Sequence, residues 1–294
     1  MKIGFIGLGI MGSRMAANLQ KHSYELVITN RTRDKARDLL AGGATWADTP
    51  AEVARQVDLL LTMLSTPEVV HQAAVGDNGF LDHLQPGTIW ADCSTVNPSF
   101  SRQMAALAQA RGVNFVDSPV GGSNDPAERG QLLFFVGGND SDVESCQPLF
   151  AAMGRQTYHL GEVGMGAAMK MVFNSIMGGS MLAFCEAVAL GQSLGLGQKT
   201  LLDILSSTPM MAPFIAPKRA KFESGHYDTE FPLQWLRKDL QLATTSAYEQ
   251  DLALPLLNLA KEIYTQAMQA GLAEEDYSAI YAYVTGQKRE LPAM

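Results

Sequence analysis

The stretch Lys2-Ile3-Gly4-Phe5-Ile6-Gly7-Leu8-Gly9-Ile10-Met11-Gly12 decides the fold of the first half of the chain. Lys2 to Ile6 is a short apolar run, the signature of a buried parallel strand. Gly7 to Gly12 then matches G-x-G-x-x-G, and a helical pattern continues to about Gln20. Each glycine has a separate physical task. Gly7 permits the tight turn, Gly9 leaves the backbone bare for a pyrophosphate, and Gly12 lets the helix lie close to the strand. The helix start adds free N–H groups and a positive dipole end. A strand, this hexapeptide and a helix in that order predict a dinucleotide site formed by Gly7, Leu8, Gly9, Ile10, Met11 and Gly12.

Moving outward, Glu25–Thr29 reads as the next strand and ends in Asn30-Arg31-Thr32. An NAD site usually carries an Asp or Glu there for the ribose 2′-hydroxyl. The acid is missing and a base is present: Arg31 can pair with a 2′-phosphate while Asn30 and Thr32 supply polar contacts. The expected cofactor is therefore NADP. Thr32 also reads as an N-cap for a helix over Asp34–Leu40.

Strand and helix patterns then alternate. Thr49-Pro50-Ala51-Glu52 is a capping box with proline at the first helical position. Leu59–Met63, Thr88–Asp92, Asn114–Asp117, Leu132–Val136 and Gln156–Leu160 read as strands, with a helix over Asp142–Met153. This alternation predicts α/β architecture, a Rossmann-type doubly wound parallel sheet. Ligands of such sheets sit beyond the carboxyl ends of the strands, which points to Met63, Leu64, Ser65, Ser94 and Thr95. Ser65 and Thr95 read equally as plain helix caps. Gly121 and Gly122, between Ser118 and Ser123, could present backbone N–H groups to a carboxylate or serve only as turn glycines.

Past Gly161 the alternation stops. Gly164-Met165-Gly166-Ala167-Ala168-Met169-Lys170 opens a long helical pattern to about Leu194, with Asn174 four residues after Lys170 and so on the same face. A lysine on an apolar helix either snorkels to water or serves a site. Lys199–Leu205, Leu233–Tyr248, Pro255–Ala270 and Tyr277–Tyr283 also show helical spacing, and the apolar Met210–Pro217 loop is expected to pack against something. The expected organisation is a dinucleotide domain over 1–161 and an all-α C-terminal domain over 162–294 joined by the long helix. Met, Ala and Leu on several faces of the second half predict a homodimer or homotetramer. Arg237-Lys238-Asp239 reads, from pattern alone, as a solvated face.

Composition sets the outer limits. The chain has 294 residues, 47% hydrophobic and 18% charged, with a net charge of −8, which suits two globular domains and argues against nucleic acid as a partner. Cys93, Cys146 and Cys185 form no redox or metal motif and read as buried thiols of a reducing compartment. The histidines have no ligand spacing, so no metal is expected. Gly7, Gly9, Gly12 and Arg14 interrupt any signal-peptide core, and Asn174, Glu186 and Gln192 interrupt any membrane span. The expected location is the cytoplasm, away from membranes.

These parts resemble the β-hydroxyacid dehydrogenases, and within them the NADPH-dependent glyoxylate and succinic semialdehyde reductases. The resemblance runs along essentially the whole chain. It is carried by residues 4–12, Asn30-Arg31-Thr32, Asp92-Cys93-Ser94-Thr95, Pro119-Val120-Gly121-Gly122, Gly164 through Lys170 with Asn174, and Phe231-Pro232-Leu233 through Lys238-Asp239. It implies that Lys170 is the catalytic acid/base, that Asn174 holds it or the substrate, and that Thr95 and Lys238 contact the cofactor. It also implies that the loop from Pro119, with Ser94, Gly121, Gly122 and Ser123 nearby, binds the carboxylate of a small substrate. One position departs from the family pattern: Gly121 stands where a serine is usual, so a hydroxyl donor is lost or supplied from Ser123. The related 6-phosphogluconate dehydrogenases pair their lysine with a histidine three residues on, and that position here is Phe173. A 3-hydroxyacid dehydrogenase working oxidatively and a non-enzymatic dinucleotide sensor are the rival expectations.

Overall fold

Six parallel strands form the main sheet of the computed structural model, which describes residues 1–287. They are β1 (Lys2–Ile6), β2 (Glu25–Thr29), β3 (Thr45–Trp46), β4 (Leu59–Thr62), β5 (Ile89–Asp92) and β6 (Asn114–Asp117), in the order β3-β2-β1-β4-β5-β6. β1 sits in the middle, with Phe5 opposite Ile28 on one side and Leu61 on the other. Strand order reverses on either side of β1, so the crevice for a ligand lies at its carboxyl end.

The connecting helices are α1 (Ile10–Lys21), α2 (Arg37–Ala41), α3 (Pro50–Ala54), α4 (Pro67–Val75) and α5 (Pro98–Gln109). Both faces of the sheet are buried because neighbouring side chains of a strand point opposite ways. Leu61 packs with Phe5, Met15 and Leu19, whereas Leu60 packs with Phe80, Trp90 and Phe115. Trp90 stands edge-on between Phe80 at 4.8 Å and Phe115 at 4.7 Å. The expected cap of α3 is present: Thr49 Oγ1 accepts from Glu52 N at 3.2 Å, while the Glu52 carboxylate turns back to Asp48 N at 2.8 Å. Thr32 makes no such cap. A short 3-10 turn over Arg33–Ala36 precedes α2 instead, and the Thr32 hydroxyl holds no helical N–H.

The later strands do not extend the main sheet. β7 (Val120–Gly121), β8 (Leu132–Val136) and β9 (Gly154–His159) form a second, mixed sheet, with β7 antiparallel and β9 parallel to β8. The chain turns back after β6, where Asp117 and Gly137 exchange backbone hydrogen bonds of 3.0 and 2.9 Å in an antiparallel bridge. Pro119 donates nothing, but its carbonyl accepts from Phe135 N at 3.0 Å and carries the same register on into β7. Helices α6 (Asn124–Glu128) and α7 (Asp140–Met153) complete this region.

The rest of the described chain is helical: α8 (Met165–Ser193), α9 (Gln198–Ser206), α10 (Arg219–Ser224), α11 (Leu233–Glu249), α12 (Pro255–Ala267) and α13 (Ile280–Thr285). The chain divides into two compact units, 1–171 and 172–294, so the division falls inside α8, ten residues beyond the expected Gly161. Helix α8 is apolar all round in composition yet buried on one stripe. Ala167, Lys170, Met171, Asn174, Met181, Cys185 and Val188 are covered, whereas Val172, Ile176 and Leu190 are open. By length and composition alone it is long and apolar enough to cross a bilayer.

In the second unit, Gly178 admits Leu240 of α11, whose Cδ2 would lie 2.9 Å from an added Cβ. Lys218, almost fully buried, reaches Glu230 at 2.9 Å and Asp276 at 3.1 Å. The Asp276 carboxylate also accepts from the N–H groups of Glu230, Phe231 and Ser278 and from the Ser278 hydroxyl. Within the Met210–Pro217 loop the expected packing holds at Ile215, but Met210 is exposed.

Candidate active site

The glycine turn has the dimensions its sequence requires. Gly7 has φ +102°, and an added Cβ would stand 2.3 Å from the Met63 carbonyl oxygen. A Cβ on Gly12 would lie 1.9 Å from the Gly7 oxygen. At Gly9 the same test finds nothing within 4 Å, and the residue is exposed. Two glycines are thus demanded by the protein's own packing and the third is bare toward open space. That combination fits a dinucleotide phosphate approaching the backbone at the start of α1.

Asn30 has a different task from the expected one. Its Oδ1 accepts from Leu8 N at 3.0 Å, and its Nδ2 donates to Thr32 O at 2.9 Å. The side chain therefore braces the glycine turn. Arg31 and Thr32 are exposed at the end of β2, and Arg33 lies over the Trp46 ring at 5.2 Å.

The loops beyond β4 and β5 are tied sideways. Trp90 Nε1 donates to Thr62 Oγ1 at 2.9 Å, and Thr62 Oγ1 donates to Asp92 Oδ1 at 2.7 Å. That same carboxylate oxygen accepts from Ser94 N at 3.1 Å, and Ser94 Oγ accepts from Leu64 N at 2.8 Å. Ser94 is buried, so its hydroxyl supports the Met63-Leu64-Ser65 loop instead of facing a substrate, the task expected from its position after β5. Ser65 and Thr95 are not helix caps: Thr66 caps α4 through Val69 N, and Asn97 holds the N-cap position of α5. In the glycine loop, Gly121 is buried in β7 and Gly122 has φ +129°. Ser123 occupies the N-cap position of α6, and its side chain makes no cap hydrogen bond.

Lys170 is 8% exposed, in the second turn of α8. The start of that helix is held by a residue that no sequence pattern marks out. Asp117 Oδ1 accepts from Gly164 N, and Oδ2 from Ala167 N, both at 2.7 Å. Burial raises this carboxyl to about 6, against the lowering effect of those two N–H bonds. In the second unit, Asn174 Nδ2 donates to Asp239 Oδ2 at 2.6 Å, and Lys238 Nζ lies 2.9 Å from Asp239 Oδ1. Asp239 is buried, so it joins two residues that the sequence singles out separately, and Lys238 is not on a plainly solvated face. Burial pushes the Cys93 thiol far above its ordinary value, as expected for an inert core cysteine.

A parallel sheet with its reversal at β1, a bare glycine turn there and a buried lysine on the helix that comes after define an NAD(P)-dependent oxidoreductase. Residues 2–161 match the NAD binding domain of 6-phosphogluconate dehydrogenase, and residues 164–284 match the NAD-binding domain of NADP-dependent 3-hydroxyisobutyrate dehydrogenase. Glyoxylate/succinic semialdehyde reductase 2, chloroplastic, of Arabidopsis thaliana is 38% identical over 280 residues, 95% of this chain and 78% of the relative. The solved 3-hydroxyisobutyrate dehydrogenase of Mycobacterium tuberculosis with L-serine superposes with a TM-score of 0.87 at 27% identity, covering 96% of this chain and 98% of the other. A structure described as Psf3 in complex with NADP+ and 2-OPP also gives a TM-score of 0.87 at 27% identity, over 96% of this chain and 99% of that one. The chain belongs to the β-hydroxyacid dehydrogenase family.

Proposed function

We propose that this protein is an NADPH-dependent reductase of a small carboxylate-bearing aldehyde or oxo acid, of the glyoxylate or succinic semialdehyde type, with Lys170 as proton donor. The observation that carries the reading is the burial of Lys170 on a helix whose start is fixed by the main sheet. A buried ammonium is a strong hydrogen-bond donor to negative charge developing beside it. The names of the Arabidopsis relative and of the NADP+-bound neighbour support the substrate class and the cofactor.

The cofactor, when bound, supplies the hydride that reduces the carbonyl carbon. The protein's part is to hold and to protonate. Gly9 leaves the pyrophosphate room, and Leu8, Ile10 and Met11 line the turn. Arg31, with Thr32 beside it, pairs with the 2′-phosphate, and no acid at the end of β2 competes for a ribose hydroxyl. Met63, Leu64, Ser65 and Thr95 flank the reacting end of the crevice. Backbone N–H groups around Gly121 and Gly122, with Ser123, hold the substrate carboxylate. Lys170 stabilises the oxygen as charge builds on it and then transfers its proton to it. The exposed apolar stripe of Ile176, Leu190 and Leu194 supports assembly into a homodimer or homotetramer through the helical unit.

The test is steady-state turnover with NADPH, and with NADH in parallel, against glyoxylate and succinic semialdehyde, with 3-hydroxyacids in the reverse direction. Lys170→Ala should lower kcat by at least about 100-fold with NADPH affinity retained. Near-normal turnover of that variant would overturn the assignment, and turnover of 3-hydroxyacids alone would move the protein to oxidative chemistry.

A further inference from the structure

Helix α8 begins without a capping side chain of its own. Gly164 occupies the N-cap position, its carbonyl accepting the first helical hydrogen bond from Ala168 N at 2.9 Å, and glycine offers no acceptor to the next N–H groups of the turn. Asp117, 47 residues upstream, supplies one instead, with one carboxylate oxygen on the N-cap N–H and the other on the N–H of Ala167, at 2.7 Å each. A helix normally finds this pair of interactions in a local Ser/Thr and Glu; here they come from the end of a sheet strand.

The surroundings are shaped around that carboxylate. A Cβ on Gly137 would lie 2.6 Å from Asp117 Oδ1, and one on Gly166 would lie 2.9 Å from Oδ2 and 2.3 Å from the Phe135 oxygen. The Asp117 backbone is fixed twice, by its register with Asp92 in β5 and by its bridge to Gly137. The side chain therefore has no slack. Ala167, the residue it grips, is three positions before Lys170, less than one helical turn.

We propose that Asp117 is a positioning residue for the reaction: by clasping the first turn of α8 to the sheet, it fixes the direction from which Lys170 reaches the carbonyl oxygen. This rests on the assignment of Lys170 as proton donor. A carboxylate grips two N–H groups, whereas a carboxylic acid has one oxygen committed as a hydroxyl and grips one. Protonation of Asp117, which burial brings to about 6, therefore loosens the clasp on the acid side of neutrality. The charged groups near this corner are Asp92 on β5, whose repulsion adds to the effect of burial, and Glu162 just before the helix. Arg102 of α5 lies alongside Gly164, His159 of β9 bonds the Gly138 carbonyl, and Lys170 is on α8 itself.

The experiment compares the whole protein with Asp117→Asn, which keeps the shape but opposes an NH2 group to one of the two N–H donors. The expected result is a fall in kcat of tenfold or more, with NADPH affinity changed less than twofold. The decline of wild-type kcat with an apparent pKa near 6 should be absent from the variant. That decline should persist in His159→Gln, which removes the imidazole bonded to the Gly138 carbonyl. Lys170→Ala is measured alongside, and adding Asp117→Asn to it should lower the residual rate no further. An Asp117→Asn protein with lower thermal stability but the kcat and pH profile of the wild type would reduce Asp117 to a structural residue. If Lys170→Ala itself turns over normally, the proton-donor assignment fails, independently of the clasp. A second measurement needs no variant. Amide exchange at Gly164 and Ala167 in the wild-type protein should slow between pH 5 and 7.5, once the intrinsic base catalysis of exchange is divided out. Unchanged protection across that range would overturn the proposal.

Discussion

Gly9 and Gly12 lie three residues apart in one motif, and the structure predicts opposite consequences for the same substitution. At Gly9 the backbone has φ −76° and ψ −163°, a region open to any residue, and a methyl group would meet nothing within 4 Å. Alanine gains about 0.4–1 kcal/mol by restricting the unfolded chain, and loses roughly half a kcal/mol because glycine is the better N-cap. The net change should stay within about 0.5 kcal/mol, or a Tm shift of no more than about 2 °C. The added methyl does, however, stand where the pyrophosphate is to pass. Gly9→Ala should raise the NADPH dissociation constant at least tenfold, about 1.4 kcal/mol. At Gly12 a methyl would lie 1.9 Å from the Gly7 oxygen, a backbone atom that cannot rotate away. Helix α1 must then shift, costing about 3 kcal/mol or more despite alanine's better helix propensity, and Tm should fall by roughly 6–12 °C. Calorimetry gives the stability and NADPH fluorescence titration the affinity. A Gly9→Ala protein that binds NADPH like the wild type would refute the placement of the pyrophosphate over this turn. A Gly12→Ala protein with unchanged Tm would refute the packing argument.

The geometry dictates two other outcomes. Arg31→Ala should weaken NADPH by about 10- to 100-fold, the worth of a charge-assisted hydrogen bond of roughly 1.5–3 kcal/mol, and leave NADH nearly unchanged; equal losses with both would show that Arg31 does not select the 2′-phosphate. Lys218→Met should lower stability by about 3 kcal/mol without altering kcat per folded molecule, because it strips the nearer cation from the fully buried Asp276 and leaves Lys221, at 3.9 Å. A loss below about 1 kcal/mol in chemical denaturation would mean that the four remaining hydrogen bonds to Asp276, with Lys221 at 3.9 Å, suffice.

The main sheet is legible because its information is local. Apolar runs of four or five residues, punctuated by glycine, proline and capping residues, specify β1, β2, β4 and β5 without any tertiary knowledge. The two-residue strands β3 and β7 are too short for any periodicity and are visible only as pairings. The site divides along the same line. Gly7, Gly9 and Gly12 act through their own backbone and can be read directly. The tasks of Asn30, Ser94 and Asp117 depend on N–H groups 22, 30 and 47 residues away, and no window of sequence contains both halves of such a pair. Asp239 is hidden for a related reason, since a buried acid next to a lysine looks like any solvated ion pair until its burial is known.

Asp117 also bears on how such a protein could be made more robust. A carboxyl raised from 3.8 to about 6 in the fold binds its proton more tightly than the unfolded chain does. Its contribution therefore favours folding by about 3 kcal/mol below about pH 4 and is lost as pH rises through 6. Replacing this aspartate would end that pH dependence but leave the N–H groups of Gly164 and Ala167 without their acceptor, so position 117 should be held constant in any stability-guided library.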